Sequence, residues 1–235
     1  MFTETAELYD LFYESKDYAG EAAKVRQIVE ERAPGARTLL DVACGTGHHL
    51  EHLRTWYEVE GLDLDEGLLR VAGERLPDVP LHVGDMRDFD LGRRFDVVTC
   101  LFSSIGYAGS PEGMQTAVGA MARHVVPGGL LIVEPWLSPS VFDPNHRSGV
   151  MTVERDDLIA VRMNDSRVEG RRSIMNFHYL VARPGAPLEQ LVETHALGLF
   201  TDDEYRAAFE GAGLGVEHDS EGLMGRGLWI GHATR

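Results

Sequence analysis

The sequence predicts a doubly wound α/β fold: a mostly parallel sheet with helices on both faces, followed after its fifth strand by an antiparallel β insertion. Three observations carry this. Short apolar runs at 38–43, 58–63, 80–84, 95–101 and 130–134, several rich in valine, alternate with stretches of helical apolar spacing. The first run, LLDV, feeds a glycine-rich turn, ACGTG, and then a helical stretch, so that bare backbone meets a ligand at the carboxyl edge of a parallel sheet. After Trp136 the helical stretches stop, and β-like runs succeed one another across polar turns.

In chain order, two helices at 5–13 and 18–33 precede the first strand, the second stopped by Pro34-Gly35. Between the strands, helices are expected at 48–57, where Leu50, Leu53 and Tyr57 share a face, at 66–75, and at 111–124, where Val118 and Met121 lead to Val125. The insertion holds strands at 150–154, 158–163, 173–181 and 192–199. A last helix at 201–213 opens with Thr201 as N-cap and Glu204 as its capping-box partner. Strands at 214–219 and 227–232 then close the sheet. The expected organisation is one ligand-binding domain, residues 1–136 with 200–235, carrying an insertion at 137–199 for substrate binding or dimerisation. Free strand edges in such an insertion can pair across a two-fold axis, so a homodimer is expected.

The chain has 22 Lys plus Arg against 38 Asp plus Glu, a net charge of −16, so it repels phosphate backbones and a nucleic-acid partner is not expected. The start, MFTETAELYD, is acidic, and no apolar run nears the roughly 20 residues that span a bilayer, so neither a signal peptide nor a membrane partner is expected. The expected compartment is the cytoplasm. Cys44 and Cys100 each end an apolar stretch, which suits reduced, partly buried thiols, and no metal site can be built from them alone.

The chemistry sits in the turn and three acids. A dinucleotide fingerprint would need a small residue at position 50 after Gly45 and Gly47, and Leu50 stands there. Asp41, at the mouth of the turn, would repel a pyrophosphate but attract the ammonium and sulfonium of S-adenosylmethionine. A nicotinamide dehydrogenase is therefore disfavoured. Asp63 ends the second strand, where its carboxylate can accept two ribose hydroxyls. Asp85 ends the third, placed for an adenine amino group while Met86 packs on the ring. Each residue alone also fits a tight turn or a helix cap; together, at successive strand ends, they point to one ligand.

The strings LLDVACGTG, VEGLDL, GDM and PGGLLIVEP resemble the motifs of class I S-adenosylmethionine-dependent methyltransferases, whose sheet is Rossmann-like. More particular strings, AELYDLF, KDY, GDMRDFDLGRRFD, LFSSIGY, VEPW and GRGL, are similar to the amino-sugar N,N-dimethyltransferases. Those enzymes act on nucleotide-linked 3-amino-deoxyhexoses, such as precursors of desosamine and mycaminose, in antibiotic pathways. The resemblance implies a dTDP-linked amino sugar methylated twice in line, a task of proximity in which well-oriented reactions reach effective molarities of roughly 10⁵–10⁸ M. It puts the cofactor on Tyr9, Tyr18, Asp41, Ala43, Gly45, Gly47, Asp63, Leu64, Asp85, Met86 and Phe102.

On the acceptor side, Tyr107 follows the fourth strand and is expected to orient the amine rather than act as a base. Arg226, between two glycines, is the expected partner of the substrate's pyrophosphate, with Arg147 and Arg167 as lesser candidates. Trp136 is placed to stack on thymine, and His178 to hydrogen-bond the nucleotide from the insertion. Packing is the competing role for Tyr9, Tyr18, Tyr107, Trp136 and His178. Two other functions remain open at this point: methylation of a different small amine or hydroxyl, and a protein that senses the cofactor without chemistry.

Overall fold

The computed structural model describes residues 6–145 and 149–234. Helices α1 (Ala6–Tyr13) and α2 (Tyr18–Arg32) come first. Then β1 (Thr38–Val42), α3 (His48–Leu53), β2 (Glu58–Asp63), α4 (Glu66–Arg75), β3 (Leu81–Val83), β4 (Phe95–Cys100), α5 (Pro111–Arg123) and β5 (Val125–Val133) alternate, with a 3-10 turn at Ser104–Ala108. Strands β6 (Met151–Arg155), β7 (Leu158–Glu169), β8 (Arg172–Ala182) and β9 (Glu189–Gly198) follow, and α6 (Asp202–Gly211), β10 (Leu214–Asp219) and β11 (Leu228–Ala233) end the chain.

Local chemistry sets the helix starts. Asp17 accepts the Gly20 N–H at 2.8 Å, Asp65 accepts those of Gly67 and Leu68, and Ser110 precedes Pro111 at the first position of α5. The reciprocal capping box of Thr201 and Glu204 is formed. Helix α3 stops at Leu53, short of the expected 57, because residues 54–57 fold into a turn on the carbonyls of Leu50, His52 and Leu53.

Seven strands form one sheet in the order β10-β11-β5-β4-β1-β2-β3, and β6 to β9 form a separate four-stranded one. The five strands from β3 to β5 run parallel, while β11 lies antiparallel between β5 and β10. Strand order reverses between β1 and β4, which opens a crevice beyond their carboxyl ends. Clusters around Leu40, Val98, Met121 and Trp229 on one face, and Leu39, Val97, Leu53 and Ile132 on the other, are fully buried, as a sheet covered on both sides requires. Strand β5 begins at Val125, earlier than the expected 130. The Pro127-Gly128-Gly129 segment is taken up as an irregularity between the Phe95–Val125 and Val97–Leu130 pairs, and a Cβ on Gly129 would lie 2.6 Å from the Asp96 carbonyl.

The four-stranded sheet, residues 151–198, packs one face against α1 and exposes the other. Leu8 and Phe12 of α1 pack with Val153, Leu158, Ala160, Tyr179 and Val181 on the inner face. Helix α1 thus ties the two sheets together. Strand β7 runs on to Glu169, beyond the expected 163, because the polar half 164–169 stays paired with β8. Cys44 and Cys100 are buried free thiols. Among the described residues no helix is long and apolar enough to cross a membrane.

Candidate active site

The carboxyl ends of β1 to β5, helix α1 and the inner face of the second sheet enclose a cavity of about 1480 Å³. A pocket for one small ligand measures roughly 300–1,000 Å³, so there is room for two molecules side by side.

The glycine turn forms one wall. Ala43 holds φ 59° and Gly45 φ 57°, left-handed geometry that costs a non-glycine residue of order 1–3 kcal/mol and is kept where surroundings over-determine it. A Cβ on Gly45 would meet nothing within 4 Å, so its backbone is open to a ligand. Gly47 differs: it does not line the cavity, and a Cβ there would lie 2.9 Å from Leu76 Cδ1. The expected cofactor contact at Gly47 is therefore corrected to a packing role, with φ 80° starting α3 close against α4.

Asp41, Asp63 and Asp85 all line this cavity. Asp41 is buried, and among the described residues the only hydrogen-bond partner of its carboxylate is Thr99 Oγ1 at 2.7 Å. Burial pushes its carboxyl up to about 7, opposed by the Thr99 hydroxyl and reinforced by nearby Asp63. Asp63 is raised as well, by burial above all, although Oδ2 accepts the Gly45 N–H at 2.8 Å and Oδ1 that of Asp65 at 2.9 Å. Asp85 is held low by the Arg87 guanidinium, which grips both oxygens, Nη2 to Oδ2 at 2.6 Å. Leu64 and Met86 line the wall beside these acids. A buried carboxylate at Asp41 with no cation paired to it among the described residues, beside a second acid and open glycine backbone, fits a cationic adenosyl donor and opposes a pyrophosphate.

An aromatic cap closes the cofactor side. The Tyr18 ring stacks on His48 with centroids 4.4 Å apart, and its hydroxyl is buried with no hydrogen-bond partner among the described residues. Tyr9 sits 4.8 Å from Tyr13, whose ring meets Phe102 edge-on at 5.2 Å. Phe102, at φ 52°, donates its N–H to Glu134 at 2.6 Å, and the Lys16 ammonium lies over its ring. Asp10 accepts from Thr46 at 2.5 Å and Arg75 at 2.7 Å, which fastens α1 to the glycine turn.

On the other side, Tyr107, Trp136 and Arg226 reach the same cavity. The Arg226 guanidinium lies 5.3 Å over the Trp136 ring and donates to Ser103 Oγ at 3.0 Å. Trp136 Nε1 donates to Ser173 Oγ at 2.9 Å. His178 is not there. It sits on the outer face of the second sheet, bonded to Asp165 at 2.7 Å, because strand alternation sends Phe177 inward and His178 outward. The expected nucleotide contact at His178 is thus corrected. Arg167 is surface charge paired with Glu169, and Arg147 lies outside the described residues.

Among the cavity residues that the sequence reading missed, three matter most to the charges there. His195 of β9 holds Tyr107 Oη at 2.8 Å through Nδ1. Arg162 of β7 is buried beneath the rings of Phe12, Tyr13 and Phe177, with no carboxylate paired to it among the described residues. Arg87 holds Asp85. For His195, period-two alternation puts it on one face with Glu193 and Leu197 but does not say that this face is the inner one.

A mostly parallel sheet with acids at three adjacent strand ends, a glycine turn and an acceptor chamber across from them defines a class I S-adenosylmethionine-dependent methyltransferase. Residues 39–129 match the methyltransferase domain family. The chain is 45% identical over 229 residues, 96% of each protein, to the dTDP-3-amino-3,4,6-trideoxy-alpha-D-glucopyranose N,N-dimethyltransferase of Streptomyces venezuelae. The crystal structure of Streptomyces venezuelae DesVI superposes with a TM-score of 0.92 at 44% identity, covering 99% of both chains. CalS10, an amino pentose methyltransferase from Micromonospora echinaspora solved with S-adenosylmethionine bound, gives 0.87 at 40% identity over 97% of both. The chain belongs to the sugar N,N-dimethyltransferase family, and its cofactor is S-adenosylmethionine.

Proposed function

We propose that the protein methylates, twice, the amino group of a dTDP-linked amino-deoxysugar in an antibiotic pathway. The observation that carries this is the convergence of Arg226, Trp136 and Tyr107 on the cavity that also holds the three acids. Bound against those acids, S-adenosylmethionine supplies an electrophilic methyl group on sulfonium. Asp41 takes the cationic amino-acid end, Asp63 the ribose hydroxyls, and Asp85 with Met86 the adenine. Ala43, Gly45, Leu64 and Phe102 shape the slot, and Tyr9 and Tyr18 close it.

Arg226 meets the diphosphate, Trp136 stacks on the base, and Tyr107 aims the amine. Arg162 adds a second buried positive charge on the insertion side, needed in a chain of net charge −16 that takes an anionic substrate. Residues 137–199 we read as the insertion that completes the acceptor chamber. Its outer face exposes Ile159, Met163, Leu180 and Val192, of which Met163 and Val192 flank His178 in cross-strand register. We read that face as the contact of a homodimer. A cytoplasmic location fits two buried free thiols.

The test is incubation with methyl-labelled cofactor and dTDP-3-amino-deoxyhexoses, followed by mass spectrometry. Product gaining two methyl groups is expected. Cofactor binding without transfer to any amino sugar would favour a sensor, and transfer only to unlinked amines or hydroxyls would favour another small acceptor.

A further inference from the structure

Each methyl transfer leaves a proton on nitrogen that must depart before the amine can attack again, and the cavity wall offers a route for it. We propose that Tyr107 and His195 form a proton relay that accepts this proton, with His195 acting through Tyr107 as the positioning residue; this rests on the amino-sugar reading above.

Tyr107 Oη and His195 Nδ1 are 2.8 Å apart, and both residues line the chamber. Glu193 Oε2 lies 3.6 Å from His195 Nε2, and Tyr179 Oη donates to the same carboxylate oxygen at 3.1 Å. In the tautomer that carries its proton on Nε2, on the side of the Glu193 carboxylate, Nδ1 is the acceptor for the Tyr107 hydroxyl. The phenol oxygen then keeps a lone pair for an ammonium N–H from the chamber. The rings of Phe177 and Tyr107 lie 4.7 and 6.1 Å from His195, so the imidazole is fixed in its orientation.

The atoms balance as follows. The amine lone pair forms the N–C bond to the methyl group as the C–S bond breaks and its electron pair stays on sulfur, giving a thioether and an N-methylated ammonium. That ammonium passes an N–H proton to the Tyr107 oxygen while the Tyr107 O–H proton moves to His195 Nδ1. Tyr107 ends neutral, the product amine regains its lone pair for a second round, and the imidazolium faces Glu193. Water admitted when the thioether is exchanged for fresh donor takes the proton away. Tyr107 itself never has to exist as a phenolate, a state that burial disfavours.

The charged and titratable groups around the imidazole come from every element packed on it. Among the described residues, those nearest the imidazole are Tyr107 from the 3-10 turn, Glu193 on its own strand, Tyr179 on β8 and Arg162 on β7 beyond Phe177, while Tyr9 and Tyr13 on α1 and Asp63 at the end of β2 act on the Tyr107 side of the pair.

The test is the pH dependence of kcat for wild type, His195→Asn, His195→Gln and Tyr107→Phe, with KM for donor and dTDP-amino sugar. Asn can keep a hydrogen bond to Tyr107 but cannot take its proton. At neutral pH each variant should lose about 10²-fold in kcat with both KM values little changed, general-base steps contributing typically 10²–10⁴-fold. The loss should shrink towards pH 9, where solution removes the proton unaided, and monomethylated sugar should accumulate. The Tyr107→Phe/His195→Asn double variant should be no worse than either single one. A wild-type rate in His195→Asn at neutral pH, or a loss equal at every pH, would overturn the relay. Absence of wild-type turnover on any dTDP-amino sugar would overturn the substrate reading and the relay with it.

Discussion

The Asp63 carboxylate accepts the backbone N–H of Gly45 at 2.8 Å, joining the end of β2 to the turn that follows β1. A side chain placed for the ribose is thereby also the strut of the turn that approaches the cofactor. Cofactor geometry and turn geometry are set by one carboxylate.

Removing that charge should loosen both. Asp63→Asn keeps the size but offers an amide where two N–H groups and two hydroxyls want an anion. A hydrogen bond to a charged group contributes about 1.5–3 kcal/mol, so S-adenosylmethionine should bind about 10- to 100-fold more weakly by calorimetry. Binding of dTDP should change little.

Asp41 makes the cofactor site sensitive to pH. Its folded-state carboxyl is raised to about 7 by burial, against about 3.9 in an unfolded chain, so between those values the folded state holds the extra proton. Stability without cofactor should therefore fall as pH rises from about 4 to about 7, and level off above it. Cofactor binding should follow the opposite course, tightening through pH 7 as the carboxylate ionises to meet its cation. Asp41→Asn should flatten both curves and bind the cofactor weakly at every pH, as thermal melts and calorimetry across pH 5–8.5 will check.

Arg226→Ala should raise KM for a dTDP-amino sugar about 10- to 100-fold, the loss expected of a charge-assisted contact to phosphate, while cofactor affinity stays unchanged. A neutral acceptor carrying no diphosphate would not register the substitution. Steady-state kinetics with each substrate varied in turn separates the two cases.

His178→Ala should leave kcat and both KM values within about twofold, the range in which a surface substitution outside the chamber falls. Its place on the outer sheet face beside Met163 and Val192 makes the monomer–dimer equilibrium the property to follow, by analytical ultracentrifugation.

The contrast between His178 and His195 shows what the sequence could convey. The strand ends of a parallel sheet share one edge by topology, so Asp41, Asp63 and Asp85 could be brought together on paper once the strands were placed. Gly45 followed from the same edge. A histidine within an antiparallel strand has no such guarantee: alternation gives two faces, and only the packing of Phe12 and Leu8 onto Tyr179 and Val181 decides which face is inner. His178 and His195 were thus indistinguishable until the sheet was docked. Arg162 was hidden for the same reason, in a strand whose far half is polar on both faces. Gly47 misled in another way, since left-handed backbone serves close helix packing as readily as ligand approach.

The account stands on one cofactor spanning three carboxylates, and a crystal structure of the enzyme with S-adenosylhomocysteine tests it most directly. The ribose hydroxyls should lie within hydrogen-bonding distance of Asp63, the adenine beside Asp85 and Met86, and the amino-acid end near Asp41. A cofactor seated elsewhere, or one touching fewer than two of these acids, would contradict it.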